Sequence, residues 1–246
     1  MIALASDLDG TLFFNELPGN IKPEDLSAVI EFQKKGHLFG VCTGRAFSDI
    51  VKNKTIPFDF YIASSGALIL DKQQQIIHEE LVDYQIIKAI FDQYVDHFDV
   101  FVQGNKRLYS YKTGRFPVNT TIITDISVLE SKHLYGLSID AFNEANAKEV
   151  VSQINWQYGK YVEAFQNVDS IDVVKKGCSK GNGLKILKEK LQLDTIYAIG
   201  DSYNDLPMLD YADIAFTFNS SDLPVKQHAD YLVDHVYQAI EKIDQL

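Results

Sequence analysis

The chain has 246 residues, enough for one large domain or two smaller ones, and its 46% hydrophobic content excludes a disordered chain. Against 34 acidic residues stand only 23 basic ones, and the formal net charge of -11 argues against general nucleic-acid binding through a basic patch. No apolar run reaches the roughly 18 residues of a membrane span, and the first residues resemble a strand, not a basic and then apolar leader, so a cytoplasmic location is expected.

The first apolar run, Ile2 to Ala5, fits the buried strand of a parallel sheet and leads into Asp7-Leu8-Asp9-Gly10-Thr11. Gly10 lets the backbone turn sharply there and approach a ligand. Pro23, Glu24 and Asp25 open a helix, Leu26, Val29 and Ile30 repeat at helical spacing, and Gly36 closes it. Leu38 to Val41 predicts a second buried strand ending at Thr43-Gly44-Arg45, followed by a short helix near Ala46 to Lys52. Tyr61 to Ala63 is a third strand, stopped by Ser64-Ser65-Gly66, and Ala67 to Leu70 with Gln75 to His78 predicts a hairpin around Asp71-Lys72.

The pattern then changes. A helix marked by Ile86, Ile87, Ile90, Phe91 and Tyr94 precedes strands over 99–103 and 107–112 around Gly104-Asn105, a hairpin signal. A strand over 134–140, a helix over 143–154 and strands over 160–165 and 170–174 follow; the stretch 119–131 has no clear period. Residues 81–176 thus form an inserted α/β block, and 1–80 with 177–246 form the core. After Gly177 the first pattern resumes: a helix from Lys180, a strand over 195–199 ending at Gly200-Asp201, a short helix over 204–211, a strand over 214–218 and a closing helix over 236–243. The fold class is α/β, a doubly wound parallel-sheet core with a second α/β domain inserted.

Asp7, Thr43 and Asp201 each follow a buried strand, and Lys180 opens a helix. In an open α/β sheet the carboxyl ends of the strands share one edge, where ligands bind, so these groups are expected to converge. Carboxylates of Asp7 and Asp201 more than about 8 Å apart would rule that out, because metal–oxygen bonds are about 2.1 Å long. Clustered carboxylates raise one another's pKa, and a hard divalent cation offsets the repulsion; oxygen-only donors suit magnesium. Asp7, the backbone carbonyl of Asp9, and Asp201 are the candidate ligands.

These four stretches, Asp7-Leu8-Asp9-Gly10-Thr11, Thr43-Gly44-Arg45, Lys180-Gly181 and Gly200-Asp201-Ser202-Tyr203-Asn204-Asp205, resemble the four motifs of the haloacid-dehalogenase-like hydrolases, and the large insert resembles the cap of the Cof-type phosphatase branch. The resemblance implies a magnesium-dependent phosphatase of small phosphorylated metabolites, sugar phosphates or phosphorylated cofactors, acting as a monomer or weak homo-oligomer. It implies Asp7 as nucleophile and Asp9 as acid and base, with a pKa raised by burial beside other acids. It also implies that Lys180 balances charge, that Gly10, Thr43, Gly44, Arg45 and Asn204 contact substrate, that Asp201 holds magnesium, and that Asp205 supports the site.

Two stretches depart from the branch: Ser65-Gly66 stands where Asn-Gly is usual, and Phe216-Thr217-Phe218-Asn219 where Met-Gly-Asn-Ala is usual. The alternatives are a phosphomutase or a weakly catalytic phosphosugar-binding regulator on the same fold; signalling receivers are about half this length. Cys42 lies too close to Arg45 for the loop of a cysteine phosphatase and reads as core, and Cys42 and Cys178 form neither a disulfide framework nor a zinc cluster. Tyr109, Tyr111, Phe116, Tyr158, Tyr161 and Phe165 read as strand-packing aromatics or as a substrate face.

Overall fold

The computed structural model describes residues 1–14, 21–50, 56, 58–104, 107–113 and 120–246. β1 (Ile2–Ser6) is buried at every position but its first. α1 (Pro23–Lys34) starts on Pro23 with Glu24 and Asp25 in its first turn, where acids favour the positive end of the dipole. β2 (Leu38–Cys42) and a single turn, α2 (Phe47–Ile50), follow; the remainder of the helix expected to Lys52 falls outside the described residues. β3 (Phe60–Ala63) runs into a 3-10 turn over Ser64–Gly66, and the expected hairpin is β4 (Leu68–Asp71) with β5 (Ile76–Glu79).

The insert supplies α3 (Tyr84–Tyr94), β6 (Asp99–Gly104), β7 (Leu108–Ser110), β8 (Thr120–Ile122), β9 (Leu134–Asp140), α4 (Glu144–Tyr158), β10 (Val162–Asn167) and β11 (Ser170–Lys175). β7 is shorter than its sequence pattern, and Asn105, Phe116 and Asn119 lie outside the described residues. The chain closes with α5 (Lys180–Leu191), β12 (Thr195–Ile199), α6 (Leu206–Tyr211), β13 (Ile214–Phe218), α7 (Leu223–Lys226), β14 (Tyr231–Val233) and α8 (Val236–Ile243). The helix expected over 204–211 divides, a 3-10 turn over Tyr203–Asp205 preceding α6, whose first turn carries Pro207. α7 and β14 were not expected; at four and three residues they are too short to show a period.

Two sheets result. The larger has the order β14-β13-β12-β1-β2-β3-β4-β5, parallel from β14 to β3 and antiparallel through β4 and β5. The smaller has the order β10-β11-β9-β6-β7-β8 and uses only strands of the insert. β1 lies in the middle of the larger sheet, between β2 and β12, which is why it reads as an unbroken apolar run. Its residues alternate between two packed layers: Leu4 meets Val29 and Phe32 of α1 and Ile240 of α8, while Ala3 and Ala5 meet Leu184 and Leu187 of α5 and Met208 of α6. Helices therefore cover both faces, the doubly wound arrangement expected.

The smaller sheet buries one face on its own helices. Val100, Val102, Leu137, Ile139, Ile171 and Val173 pack against Ile87, Ile90 and Phe91 of α3 and Val150 and Ile154 of α4. The opposite face carries the alternate residues, and Val174 and Phe165 from it pack into the larger core. Of the insert's aromatics, Tyr111 packs edge-on against Phe91, Tyr158 donates to Gln93 Oε1, and Tyr161 is exposed. Among the described residues no helix is long and apolar enough to cross a membrane.

Candidate active site

β1 delivers Asp7 to the carboxyl edge of the sheet, where its backbone N–H donates to Ile199 O of the neighbouring β12 at 2.9 Å. Lys180, at the first position of α5, lies beneath it. Lys180 Nζ is 1% exposed and donates to Asp7 Oδ1 and to Asp205 Oδ1, both at 2.6 Å. Asp205 is held in turn by the backbone N–H groups of Asp201 and Ser202, which donate to its Oδ2 at 3.0 and 3.1 Å. Thr11 Oγ1 donates to Asp201 Oδ1 at 2.6 Å, tying the first motif to the last across the β1–β12 pair.

Asp7, Asp201 and Asp205 each offer an oxygen within 4.8 Å of the others, so the convergence expected of Asp7 and Asp201 holds, with Lys180 on Asp7. Burial, then repulsion from Asp205, raises Asp7 well above the usual carboxylate range despite the pull of Lys180. Burial, then Asp205, pushes Asp201 up to about 6. Burial works against the charge on Lys180, but Asp205 and Asp7 outweigh it and its pKa rises. One ammonium thus faces three carboxylates, an excess of negative charge that fits a divalent cation. Asp205 already spends its oxygens on Lys180 and two backbone N–H groups, which leaves Asp7 and Asp201 as the candidate ligands with free acceptor capacity. Gly10, at φ +81°, packs so closely that a Cβ there would lie 2.9 Å from Asp201 Oδ2, so any larger residue would intrude on those acceptors.

The second motif forms the opposite wall. Thr43 N–H donates to Ile62 O at 2.9 Å, and Thr43 Oγ1 accepts from Arg45 N–H at 3.2 Å. Ser64 and Ser65, both in the left-handed region at φ 49° and 47°, donate their N–H groups to Arg45 O and Thr43 O at 2.9 and 3.0 Å, which straps the end of β3 to the end of β2. Asn204 is buried and accepts from Ser202 Oγ at 2.9 Å.

Asp9 differs from expectation in its surroundings. It is not buried beside the other acids: its side chain is 39% exposed and both its oxygens accept from Arg45, Nε to Oδ2 and NH2 to Oδ1, each at 2.6 Å. Its carboxylate also lies outside the three-acid cluster, in which Asp205 is the third member. The reason is local: Arg45 projects from the neighbouring strand end with a planar fork that matches a carboxylate's two oxygens. Arg45, expected on the substrate, is engaged by Asp9. Cys42 is buried, as its core reading predicts, and burial pushes its thiol well above the ordinary range.

Sequence reasoning missed three side chains of the insert that reach this edge. Gln103 of β6 donates through Nε2 to Gly44 O at 3.1 Å and to Ser138 Oγ of β9 at 2.6 Å, and Asp172 of β11 accepts from Ser65 Oγ at 3.2 Å. Their only sequence signal is a polar residue alternating with buried apolar ones along a strand.

An acid cluster at the carboxyl edge of a doubly wound sheet, overlaid by an inserted sheet, defines a hydrolase of the α/β class. The chain belongs to the haloacid dehalogenase-like hydrolases, in their Cof-type branch; the family profile matches residues 4–240. It is similar to the 5-amino-6-(5-phospho-D-ribitylamino)uracil phosphatase YcsE of Bacillus subtilis, 27% identical over 237 residues covering 94% of this chain and 89% of the relative. It is likewise similar to the phosphoglycolate phosphatase of Sulfurisphaera tokodaii, 27% identical over 247 residues covering 97% and 92%. The solved structure of a haloacid dehalogenase-like hydrolase from B. subtilis superposes with a TM-score of 0.85 at 19% identity, over 100% of both chains.

Proposed function

We propose that the chain is a magnesium-dependent phosphatase of small metabolites, with residues 81–176 as a cap over the core and Asp7 as the group that bonds phosphorus. The observation that carries the reading is the buried triplet in which Lys180 bridges Asp7 and Asp205 beside Asp201. Relatives across nearly the whole chain are phosphatases of phosphorylated small molecules, which supports it.

Lys180 fixes Asp7 through Oδ1, so the carboxylate meets the phosphoryl group in one orientation. An Asp7 oxygen bonds to phosphorus as the ester P–O bond breaks, and the departing oxygen takes a proton from Asp9. Water then attacks the aspartyl-phosphate, Asp9 accepts its proton, and inorganic phosphate leaves with Asp7 restored. Thr43 and the Gly44 N–H hold phosphate oxygens, and Lys180 offsets their charge. Magnesium held by Asp7, the Asp9 carbonyl and Asp201 would supply the remaining positive charge at the phosphoryl group.

The Asp9–Arg45 pair adds a step. While both Asp9 oxygens accept from the guanidinium, the lone pairs facing Arg45 are occupied and the carboxylate is held in the orientation that Arg45 sets. An arriving phosphate dianion offers Arg45 a second bidentate partner, and transfer of the fork to phosphate releases Asp9 for its task. Asn204 and Asp205 act on position: Asp205 by holding Lys180, Asn204 by bracing the loop of the last motif.

The test is phosphate release from sugar phosphates, nucleotides, phosphorylated cofactors and an aryl phosphate, with magnesium and with a chelator. Magnesium-stimulated turnover of at least one ester is expected, and its loss by about a thousandfold or more in a folded Asp7→Asn variant. No turnover of any ester, or full activity in that variant, overturns the reading.

A further inference from the structure

The polar face of the inserted sheet holds one buried acceptor, Gln103 Oε1, without a partner among the described residues, and close to it the buried carboxylate of Asp172. Ser138 lies opposite Asp172 in the β9–β11 register, and Gln103 lies two positions along in the β6–β9 register, so all three side chains share one face. That face presses on the second motif: a Cβ on Gly44 would lie 1.8 Å from Asp172 Oδ2. Gln103 is fully buried, its amide nitrogen makes two hydrogen bonds, and its Oε1 is buried with no partner among the described residues. Asp172 is 9% exposed and, among the described residues, accepts one hydrogen bond, from the Ser65 hydroxyl at 3.2 Å. Burial pushes its carboxyl up to about 6, with Lys180 acting the other way and the Ser65 bond after it, so it is largely ionised at neutral pH.

A buried acceptor left unmade costs about 1–3 kcal/mol, more for a charge, and such exceptions among described residues call for an explanation. Here the unpartnered Gln103 Oε1 and the Asp172 carboxylate both belong to the insert, and both residues abut Gly44, whose neighbour Thr43 is assigned to phosphate. The group that sits next to a bound phosphate is the alcohol portion of the ester.

We propose that Gln103 and Asp172, steadied by Ser138 and Ser65, form the subsite for the alcohol portion of the substrate, and that it selects neutral, hydroxyl-rich alcohols against those bearing a second anionic group. The proposal rests on the phosphatase reading and deepens it. Hydroxyl groups donate to Gln103 Oε1 and to the Asp172 carboxylate and satisfy both. A carboxylate or second phosphate in that position meets Asp172 as a like charge, in a site sheltered from solvent where repulsion is poorly screened. Phosphorylated acids and bisphosphates are therefore poor substrates, which also disfavours a mutase that must accept a bisphosphate. Ser65 takes on a role in this arrangement: it donates a hydrogen bond from the core to Asp172, at the place where the branch usually has asparagine.

The test compares kcat/KM of the full chain for sorbitol phosphate, phosphogluconate and para-nitrophenyl phosphate. The unmodified protein is expected to prefer sorbitol phosphate to phosphogluconate by about tenfold or more. Asp172→Asn, which keeps the shape, is expected to narrow that ratio about tenfold, and Gln103→Met to lower the ratio of sorbitol phosphate to para-nitrophenyl phosphate about tenfold. A contact that merely holds the two sheets together would scale all three rates alike. Equal use of sorbitol phosphate and phosphogluconate by the unmodified protein, or ratios that neither variant moves, overturns the subsite while leaving the phosphatase standing. Absence of turnover with all three esters overturns both.

Discussion

Arg45 grips Asp9 by both carboxylate oxygens at 2.6 Å, across the gap between the first and second motifs. The general acid of the proposed reaction is thus held by the residue that phosphate must claim. Arg45→Met is expected to raise KM for every phosphate ester, because it removes a phosphate ligand. Asp9→Ala is expected to cut kcat by about a hundredfold to ten-thousandfold, with the smallest loss on aryl phosphates, whose leaving groups need little protonation. Equal losses on aryl and alkyl esters would remove Asp9 from the acid role.

Lys180 holds two buried carboxylates at once, so its removal is a stability experiment as well as a kinetic one. Lys180→Met leaves Asp7 and Asp205 buried without their cation, a defect of about 3–5 kcal/mol for a broken buried pair. Urea unfolding in the presence of chelator measures it. The double variant Lys180→Met with Asp205→Asn should recover part of the loss, since it removes one orphaned charge.

The proposed magnesium site at Asp7 and Asp201 predicts that added magnesium raises the thermal midpoint, because a cation that binds only the folded chain stabilises it by an amount that grows with the logarithm of its concentration above Kd. Asp201→Asn is expected to abolish most of that rise while the fold survives, read by thermal scans with and without magnesium. A full magnesium shift in this variant would move the cation elsewhere.

Asp172 imposes a pH dependence of its own. Its carboxyl is raised from 3.8 to about 6 in the folded chain, mainly by burial, with Lys180 opposing and Asp9 adding to the rise. The folded state therefore keeps the proton longer than the unfolded state. Its stabilising share is complete below the unfolded value and is lost as pH climbs through about 6. Asp172→Asn should flatten the stability profile between about pH 4 and about pH 6; urea midpoints across that window decide it.

The sequence carried the sheet and the acid cluster because both follow from local pattern. Ile2 to Ala5 reads as a central strand since its two faces are both buried, and Asp7, Thr43 and Asp201 are legible because each lies within two residues of the end of such a strand. What stayed hidden depends on which side chains meet across the fold. Nothing near Arg45 announces that its fork will take Asp9, and Asp172 is one acid among many until β11 turns its face onto Gly44. Asp205 reads as a supporting residue, yet it shares Lys180 equally with Asp7, a pairing that depends on α5 and the last motif meeting. β14 and α7 escaped because elements that short have no periodicity to read.

The central position of β1 has a consequence for biosynthesis. Asp7 and Lys180 are 173 residues apart, and the strand that completes β1 on its other side, β12, ends only at Ile199. A growing chain can therefore pair β1 with β2 early, yet one apolar edge of that strand has no neighbour until four-fifths of the polypeptide has emerged from the ribosome. Chains released before that point would present an unpaired, hydrophobic strand edge, the kind of surface on which nascent proteins stick to one another. The acid cluster with its lysine and the repair of that edge are completed by the same late segment.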